Sequence, residues 1–353
     1  MKADELKAMA LKTDGLEAGL LKTRFVTTAS VSPDLRSRLR VLVATIVLGF
    51  FCLVPFYSAW VGDTYVLTYF GRILIFALCA LGLNLVLGFG GMASLGHAMY
   101  VGLGAYSVGI LSDFEVYNGW VHLLVALSVS GLVAILIGAI ALRTQGMAFI
   151  MITLAFAQLF FYVFVSLRNF GGDEGLSLSR ASDFGWLTGN PVAVYVSILI
   201  SVLVVLWATG RLVKSRFGLV LRAARYNAKR VEAVGTQAQP YRLVAYVISA
   251  QVCAVGGFFM ANLTGFVSPS LMSWMISAEL MVMVLLGGAA TVFGPVVGAV
   301  ALLLVEDAVK IATQHWQLVI GPLIVLMVLG LRGGLWGVFS KKADARANAQ
   351  EHD

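Results

Sequence analysis

The sequence predicts an all-α integral membrane protein, a polytopic helical bundle of about ten membrane segments, some of them broken or re-entrant. Three observations carry that expectation. Of 353 residues, 59% are hydrophobic and only 12% are charged, whereas a soluble domain is about a quarter charged; surface this apolar requires lipid as its solvent. Apolar runs near the length of a membrane-crossing helix, about 20 residues, recur along the chain. Lys and Arg, which give a net charge of +7, collect in the loops and ends that fall on one side of the membrane. The 37 glycines allow helices to approach closely and to break within the bilayer.

Residues 1–40 form a charged leader in which Leu6, Met9, Leu16 and Leu20 recur at roughly helical spacing among Lys7, Lys12 and Lys22. It reads either as an amphipathic helix on the inner membrane surface or as a loosely ordered tail. It is far too long for the basic start of a cleavable signal peptide. The membrane domain spans 41–337, and 338–353 is a polar tail. Candidate segments are Val41–Trp60, Tyr65–Leu87, Leu95–Leu111, Trp120–Leu142, Met147–Leu167, Val192–Thr209, Leu243–Leu263, Ile276–Leu286, Val296–Ala312 and Leu318–Leu331. The eighth is too short to cross alone and suits a re-entrant segment.

Charge then fixes parity. Arg36, Arg38 and Arg40 hold the amino terminus inside; six crossings later a strongly basic loop is inside, and four more bring Arg332, Lys341 and Lys342 inside again. Both termini are therefore expected in the cytoplasm. Asp113–Trp120 and Arg168–Asn190 fall outside, and Arg143–Gly146 inside, as the positive-inside rule requires. Arg72 lies near the outer end of its segment, where its head can snorkel to the interface.

The basic loop, residues 211–242, holds eight Lys or Arg and a single acid, Glu232. Its apolar residues Leu219, Val220, Leu221, Ala223, Ala224, Val231 and Val234 suit the buried face of a helix over 219–234, with Gly218 and Gly235 at its edges. Two readings stay open: a positive-inside anchor, or a surface helix gripped by a cytosolic partner.

Several chemistries are excluded. No Gly-Lys dipeptide is present, so there is no P-loop; His97, His122, His315 and His352 form no H-E-x-x-H; and no G-x-S-x-G occurs. Cys52, Cys79 and Cys253 lie in apolar segments without metal-ligand spacing and read as small core residues. No catalytic residue, metal site or nucleic-acid partner is expected. Ionisable groups within segments are Arg72, Glu279, Glu306, Asp307 and Lys310; Glu306 and Lys310, four apart, can pair across a helical turn. The first seven segments contain no mid-membrane acid, which places the energy source outside this chain.

Leu87–Gly96 faintly echoes Leu286–Gly294; each is a Gly-rich stretch that ends one segment and opens the next. The cluster Gly88–Gly104 reads either as a broken helix lining a wet path or as close packing, with Ala98/Gly102 and Ala105/Gly109 at four-residue spacing. Gly294-Pro295-Val296-Val297-Gly298 favours packing.

Four stretches carry a family resemblance: Leu83–Gly88 through Gly91, Ser94–Ala98 and Gly102–Tyr106; Thr153–Gln158 followed by Gly171-Gly172-Asp173; Ser215–Gly218 through Arg222, Arg225, Asn227 and Gly235; and Ser277, Glu279, Leu286–Gly288, Gly294-Pro295 and Gly298-Ala299. From about Arg40 to Gly337 the chain resembles the permease subunit of bacterial ABC importers for branched-chain amino acids. The resemblance implies a BtuC-like (type II) permease fold in the bacterial inner membrane, with 211–242 as a coupling loop. Two cytosolic ATPases would carry ATP and Mg while this chain holds no cofactor; a second homologous permease and a periplasmic solute-binding protein would complete the importer. Coupling would fall to Phe217, Gly218, Arg222, Ala223, Arg225, Asn227, Glu232, Ala233 and Gly235. Asn84, Gly91, Ser94, His97 and Gln158 are the candidate path, and Asp173 and Glu174 the candidate docking point for the binding protein. The pattern departs at Tyr226 and Ala228, where the family usually carries acids, and at Ala290, where it carries Gly. A urea or short-amide permease of the same architecture, and a carrier acting without ATP, are the alternatives.

Overall fold

The computed structural model describes residues 33–62, 64–185, 190–313 and 334–338, with isolated positions between 315 and 325. The leader before residue 33, most of Leu318–Leu331 and the tail after residue 338 lie outside the described residues. Contacts divide the chain into Met1–Leu42 and Val43–Asp353; the first contributes the opening turns of helix α1 (Pro33–Val61), and the second holds every later element.

Helix α2 (Tyr65–Asn84) runs into one π turn, Leu85–Phe89, and the chain leaves helical geometry before α3 (His97–Asp113) begins. Then come α4 (Gly119–Ala141), α5 (Met147–Ser166), α6 (Pro191–Lys214), α7 (Arg216–Ala233), α8 (Ala238–Thr264), α9 (Trp274–Gly287), α10 (Gly294–Ala312) and the short α11 (Gly334–Val338). Local chemistry sets the ends. Asn118 and Asn190 accept hydrogen bonds from the backbone N–H of Trp120 and Val192, each at 3.0 Å, and Pro191 opens α6, where its missing donor costs nothing. Gly265, at φ +65°, closes α8 in the left-handed conformation that suits glycine.

Among the described residues six helices are long and apolar enough to cross a membrane: Leu42–Val61, Tyr65–Phe89, Gly119–Ala141, Met147–Ser166, Pro191–Lys214 and Ala238–Thr264. The shorter expected segments are also helical, α3 with 17 residues, α9 with 14 and α10 with 19.

The centre of the bundle is α2, α3 and α8. The window of α2 is 83% buried and that of α8 56%, against 17% for α5. Large apolar residues such as Leu124, Leu132, Met151 and Tyr162 point outward from α4 and α5, as a lipid-facing belt must. Helices α3 and α8 cross backbone to backbone. A Cβ on Gly104 would strike the carbonyl of Ala254, and one on Gly257 the carbonyl of Val101. Gly102 gives room to Met272 in the same way. This part of the glycine cluster is a packing device. So is the Gly294–Gly298 pair: Gly287 packs on the Gly294 carbonyl, and Gly298 on that of Met283.

The three cysteines do not behave alike. Cys79 and Cys253 are buried, with Cys253 Sγ 3.7 Å from the Cys79 carbonyl, but Cys52 is exposed on α1. The expectation of three core cysteines is corrected there, because Cys52 falls on the outer stripe of its helix.

The loop between α5 and α6 is stitched to the bundle. Leu176 and Ser177 (β1) pair antiparallel with Phe266 and Val267 (β2), Leu176 opposite Val267. Asn262 accepts from Ser182 N–H at 2.8 Å, and His122 meets the Ser182 hydroxyl at 2.7 Å and the Val116 carbonyl at 2.6 Å. Both ring nitrogens of His122 are therefore engaged in structure.

Candidate functional site

The break between α2 and α3, residues 84–98, is where the four sequence stretches converge. Asn84, fully buried, donates from Nδ2 to the Thr291 carbonyl at 2.7 Å, and its Oδ1 accepts from the Ala290 N–H at 3.1 Å. This joins the break to the loop between α9 and α10, so the two echoing glycine stretches touch. A Cβ on Gly88 would strike Asn84 Oδ1, which explains glycine at that turn. Ala290 adopts φ +62°, a conformation costly for any residue with a Cβ. The tight turn persists although Ala290 stands where glycine fits best.

Thr153 of α5 accepts from Leu95 N–H at 3.2 Å, and Ser277 of α9 accepts from Ala98 N–H at 2.9 Å. These side chains satisfy amides that the interrupted helix leaves without partners. His97 is fully buried between the hydroxyls of Ser94 (3.0 Å from Nδ1) and Ser249 (2.9 Å from Nε2), and Ser249 donates to the Gly82 carbonyl at 2.6 Å. Tyr100 and Tyr246 close the same network, hydroxyl to hydroxyl at 3.1 Å. Thus Ser94 and His97 share one buried network, while Asn84, equally buried, is bonded to the loop between α9 and α10. Gly91 is exposed at the break, and Gln158 lies half-buried on α5.

Helix α7 is capped by the Ser215 hydroxyl, which accepts from Gly218 N–H at 3.4 Å. It bends at Asn227, whose backbone is extended (φ −156°, ψ 96°) and whose Oδ1 accepts from Arg230 N–H at 3.0 Å. Gly218 is pressed against the Val213 carbonyl, and Gly235 closes the segment at φ +88°. The expected partner face must be redrawn. Leu221 and Ala224 are buried in the bundle itself, where Leu221 packs with Leu85, Phe89 and Val213. Leu219, Tyr226 and Val234 are exposed, at 63%, 85% and 82%. The correction has a simple cause: the loop is apolar on two helical faces, and sequence spacing does not say which one meets the bundle.

The other coupling candidates separate likewise. Phe217 is half-buried against Tyr241, with ring centroids 5.7 Å apart, while Arg222, Ala223, Asn227, Glu232 and Ala233 are exposed. Arg222 Nε donates to the Gly218 carbonyl of its own helix at 3.2 Å. Arg225 is exposed as well, but it bends back over the break and its Nη1 donates to the Gly88 carbonyl; Arg242 Nη2 donates to the Ala224 carbonyl at 2.8 Å. A cavity of about 210 Å³ beneath the break is lined by Gly91, Met92, Ala93, Gln145, Arg225 and Arg242.

A family model described as branched-chain amino acid transport system / permease component matches residues 65–329. The chain belongs to this permease family. Two relatives are the high-affinity branched-chain amino acid transport system permease proteins LivM of Salmonella typhimurium and Escherichia coli. Each is 26% identical to this permease, over 74% of this chain and 68% of its own length. No solved structure matches it.

Asp173 and Glu174 are exposed on the stitched loop between α5 and α6. Among the described residues of the permease, no three His, Cys, Asp or Glu side chains gather as a metal ion would need. Lys310 pairs with Glu306 at 2.6 Å, as their spacing predicts, and lies 3.6 Å from Asp307. Sequence reasoning missed Ser249 and His122. Neither sits in a motif, and only the fold brings each to its partner. Thr153 and Ser277 were visible as motif residues, but not as caps for the broken helix.

Proposed function

We propose that this permease is a membrane subunit of an ATP-binding cassette importer that carries branched-chain amino acids inward across the bacterial inner membrane. Membership of the family supports the solute class, as do the names of the two relatives. The observation that carries the mechanism is the outward face of α7, where Leu219, Ala223 and Tyr226 stand exposed with Arg222, Lys229 and Arg230 around them. An apolar stripe ringed by cationic side chains on a short, glycine-bounded helix suits the groove of an acidic cytosolic partner better than bare water or lipid headgroups.

In this reading two ATPases bind ATP and Mg, dock on residues 211–242 and shift α7; a second permease completes the pore, and a periplasmic binding protein lands near Asp173 and Glu174. The chain makes ten crossings of type II architecture with both termini cytoplasmic. Asn84, Gly91, Ser94, His97 and Gln158 border the path. Few polar groups line the spans, so selectivity rests mainly with the binding protein.

Proteoliposomes test this directly. The permease alone should move no leucine down a gradient; with its partner subunits, uptake should require ATP and be blocked by excess isoleucine or valine but not by urea. Leu219→Asp should abolish ATPase association. Downhill leucine flux through the permease alone would point instead to a carrier that works without ATP.

A further inference from the structure

We infer that Arg225 is a positioning residue of the transport cycle, a tie that delivers movement of α7 to the break between α2 and α3. The inference rests on the proposed docking of ATPases on α7 and goes beyond it by naming where the movement enters the membrane domain.

The contact is specific at both ends. Gly88 lies in the π turn, where the regular ladder lapses: Gly90 N–H returns to Leu85 and Met92 N–H to Val86, at 3.1 and 3.0 Å. The Gly88 carbonyl takes the Arg225 guanidinium, a residue 137 positions away. Three residues further on, Gly91 stands at φ +68°, and a Cβ there would strike Arg225 Cγ, with Cδ at 3.2 Å and Cβ at 3.3 Å. The stem of Arg225 therefore fills the space that a side chain at Gly91 would occupy, while its head holds the neighbouring carbonyl. The residue is exposed to solvent, yet its stem lies over Gly91 and its tip is bonded to the Gly88 carbonyl.

The anchoring continues on either side. Arg242, at the foot of α8, donates to Ala224 next to Arg225, so the base of the tie is fixed to the bundle. Asn84 holds the far side of the same π turn to Ala290 and Thr291. A displacement of α7 by a fraction of a helical turn must either break the Arg225–Gly88 bond or shift the π turn. π turns occur mostly as single irregular turns, frequently at functional sites, and a packed joint of this kind has discrete arrangements rather than a continuum. The cavity beneath the break, lined by Gly91, Met92 and Arg225, gives such a shift somewhere to go.

The test uses the complete importer in proteoliposomes and reads leucine uptake per ATP hydrolysed. Arg225→Met keeps the stem and removes the donor, whereas Arg225→Lys keeps a donor on a similar stem. Losing a hydrogen bond to a charged group should lower uptake per ATP in Arg225→Met by about tenfold or more, with ATPase association and hydrolysis retained; Arg225→Lys should recover most of it. Gly91→Ala, which pushes the stem out, should reproduce the defect, and combining it with Arg225→Met should add little. Equal uptake per ATP in Arg225→Met, Arg225→Lys and the unmodified importer would overturn the inference. So would additive losses with Gly91→Ala, or failure of Arg225→Met to bind the ATPases, which would place Arg225 on the partner surface instead. Leu219→Asp separates the two levels: if it still binds ATPases and transports normally, the docking reading fails irrespective of Arg225.

Discussion

Replacing Asn84 with leucine tests whether the break is held by structure or by solute. The side chain is 0% exposed and makes two bonds to backbone, Nδ2 to Thr291 at 2.7 Å and Ala290 N–H to Oδ1 at 3.1 Å. Leucine fills a similar volume, so the change removes polarity rather than packing. Side-chain hydrogen bonds between membrane helices are worth only about 0.6 kcal/mol each on average, which would make the loss about 1 kcal/mol. The partners here are backbone groups of an irregular turn, with no neighbouring ladder to take them up. A group left buried and unpaired costs about 1–3 kcal/mol; Ala290 and Thr291 are only half-buried, which holds the loss for the two to the lower part of that range, roughly 2–4 kcal/mol in total. The assay is unfolding in detergent followed by tryptophan fluorescence, with leucine uptake measured on the same preparation. If Asn84→Leu unfolds within about 1 kcal/mol of the unmodified chain, the clamp is not what holds the turn. Loss of uptake at that unchanged stability would make Asn84 a solute contact.

Three further outcomes are expected. Gly257→Ala drives a methyl into the Val101 carbonyl at the α3–α8 crossing and should destabilise by at least about 1–3 kcal/mol; unfolding at unchanged denaturant would show that these helices separate freely. Ala290→Gly relieves a left-handed alanine at φ +62°, a gain of about 1–2 kcal/mol offset by about 0.5–1 kcal/mol of glycine entropy. The net should be a slightly higher melting temperature, and a lower one would refute the strain argument. Lys310→Met leaves Glu306, 9% exposed, without its partner at 2.6 Å. Because the Lys310 side chain is itself 33% exposed, water makes up part of the loss, and about 1–2 kcal/mol is expected. Adding Glu306→Gln should restore most of it, and no recovery would mean that the pair is not the source.

Much of the fold is legible in sequence because lipid imposes a simple rule: a helix must be long and apolar, and basic loops stay inside. Segment positions follow from that rule, and so does the Glu306–Lys310 pair, which depends only on spacing within one helix. What sequence cannot supply is the rotation of each helix about its axis. Leu221 and Leu219 are equally apolar, yet one is buried in the bundle and the other stands exposed. Arg225 is one of eight basic residues in the loop, and nothing in its neighbours says that it bends back to bond Gly88. The glycines are half legible. Gly-rich turns announce a helix break, but whether Gly104 serves a path or a crossing depends on α8, about 150 residues away in sequence.

The stitched loop between α5 and α6 has a mechanical corollary. Its hydrogen bonds end on Asn262 and Gly265, at one tip of α8, while Arg242 near the opposite tip grips α7. Helix α8 has 27 residues, a rod of about 40 Å, long enough to traverse the whole bilayer. A load placed on the loop between α5 and α6 therefore bears on the same rod that grips α7 near its far end.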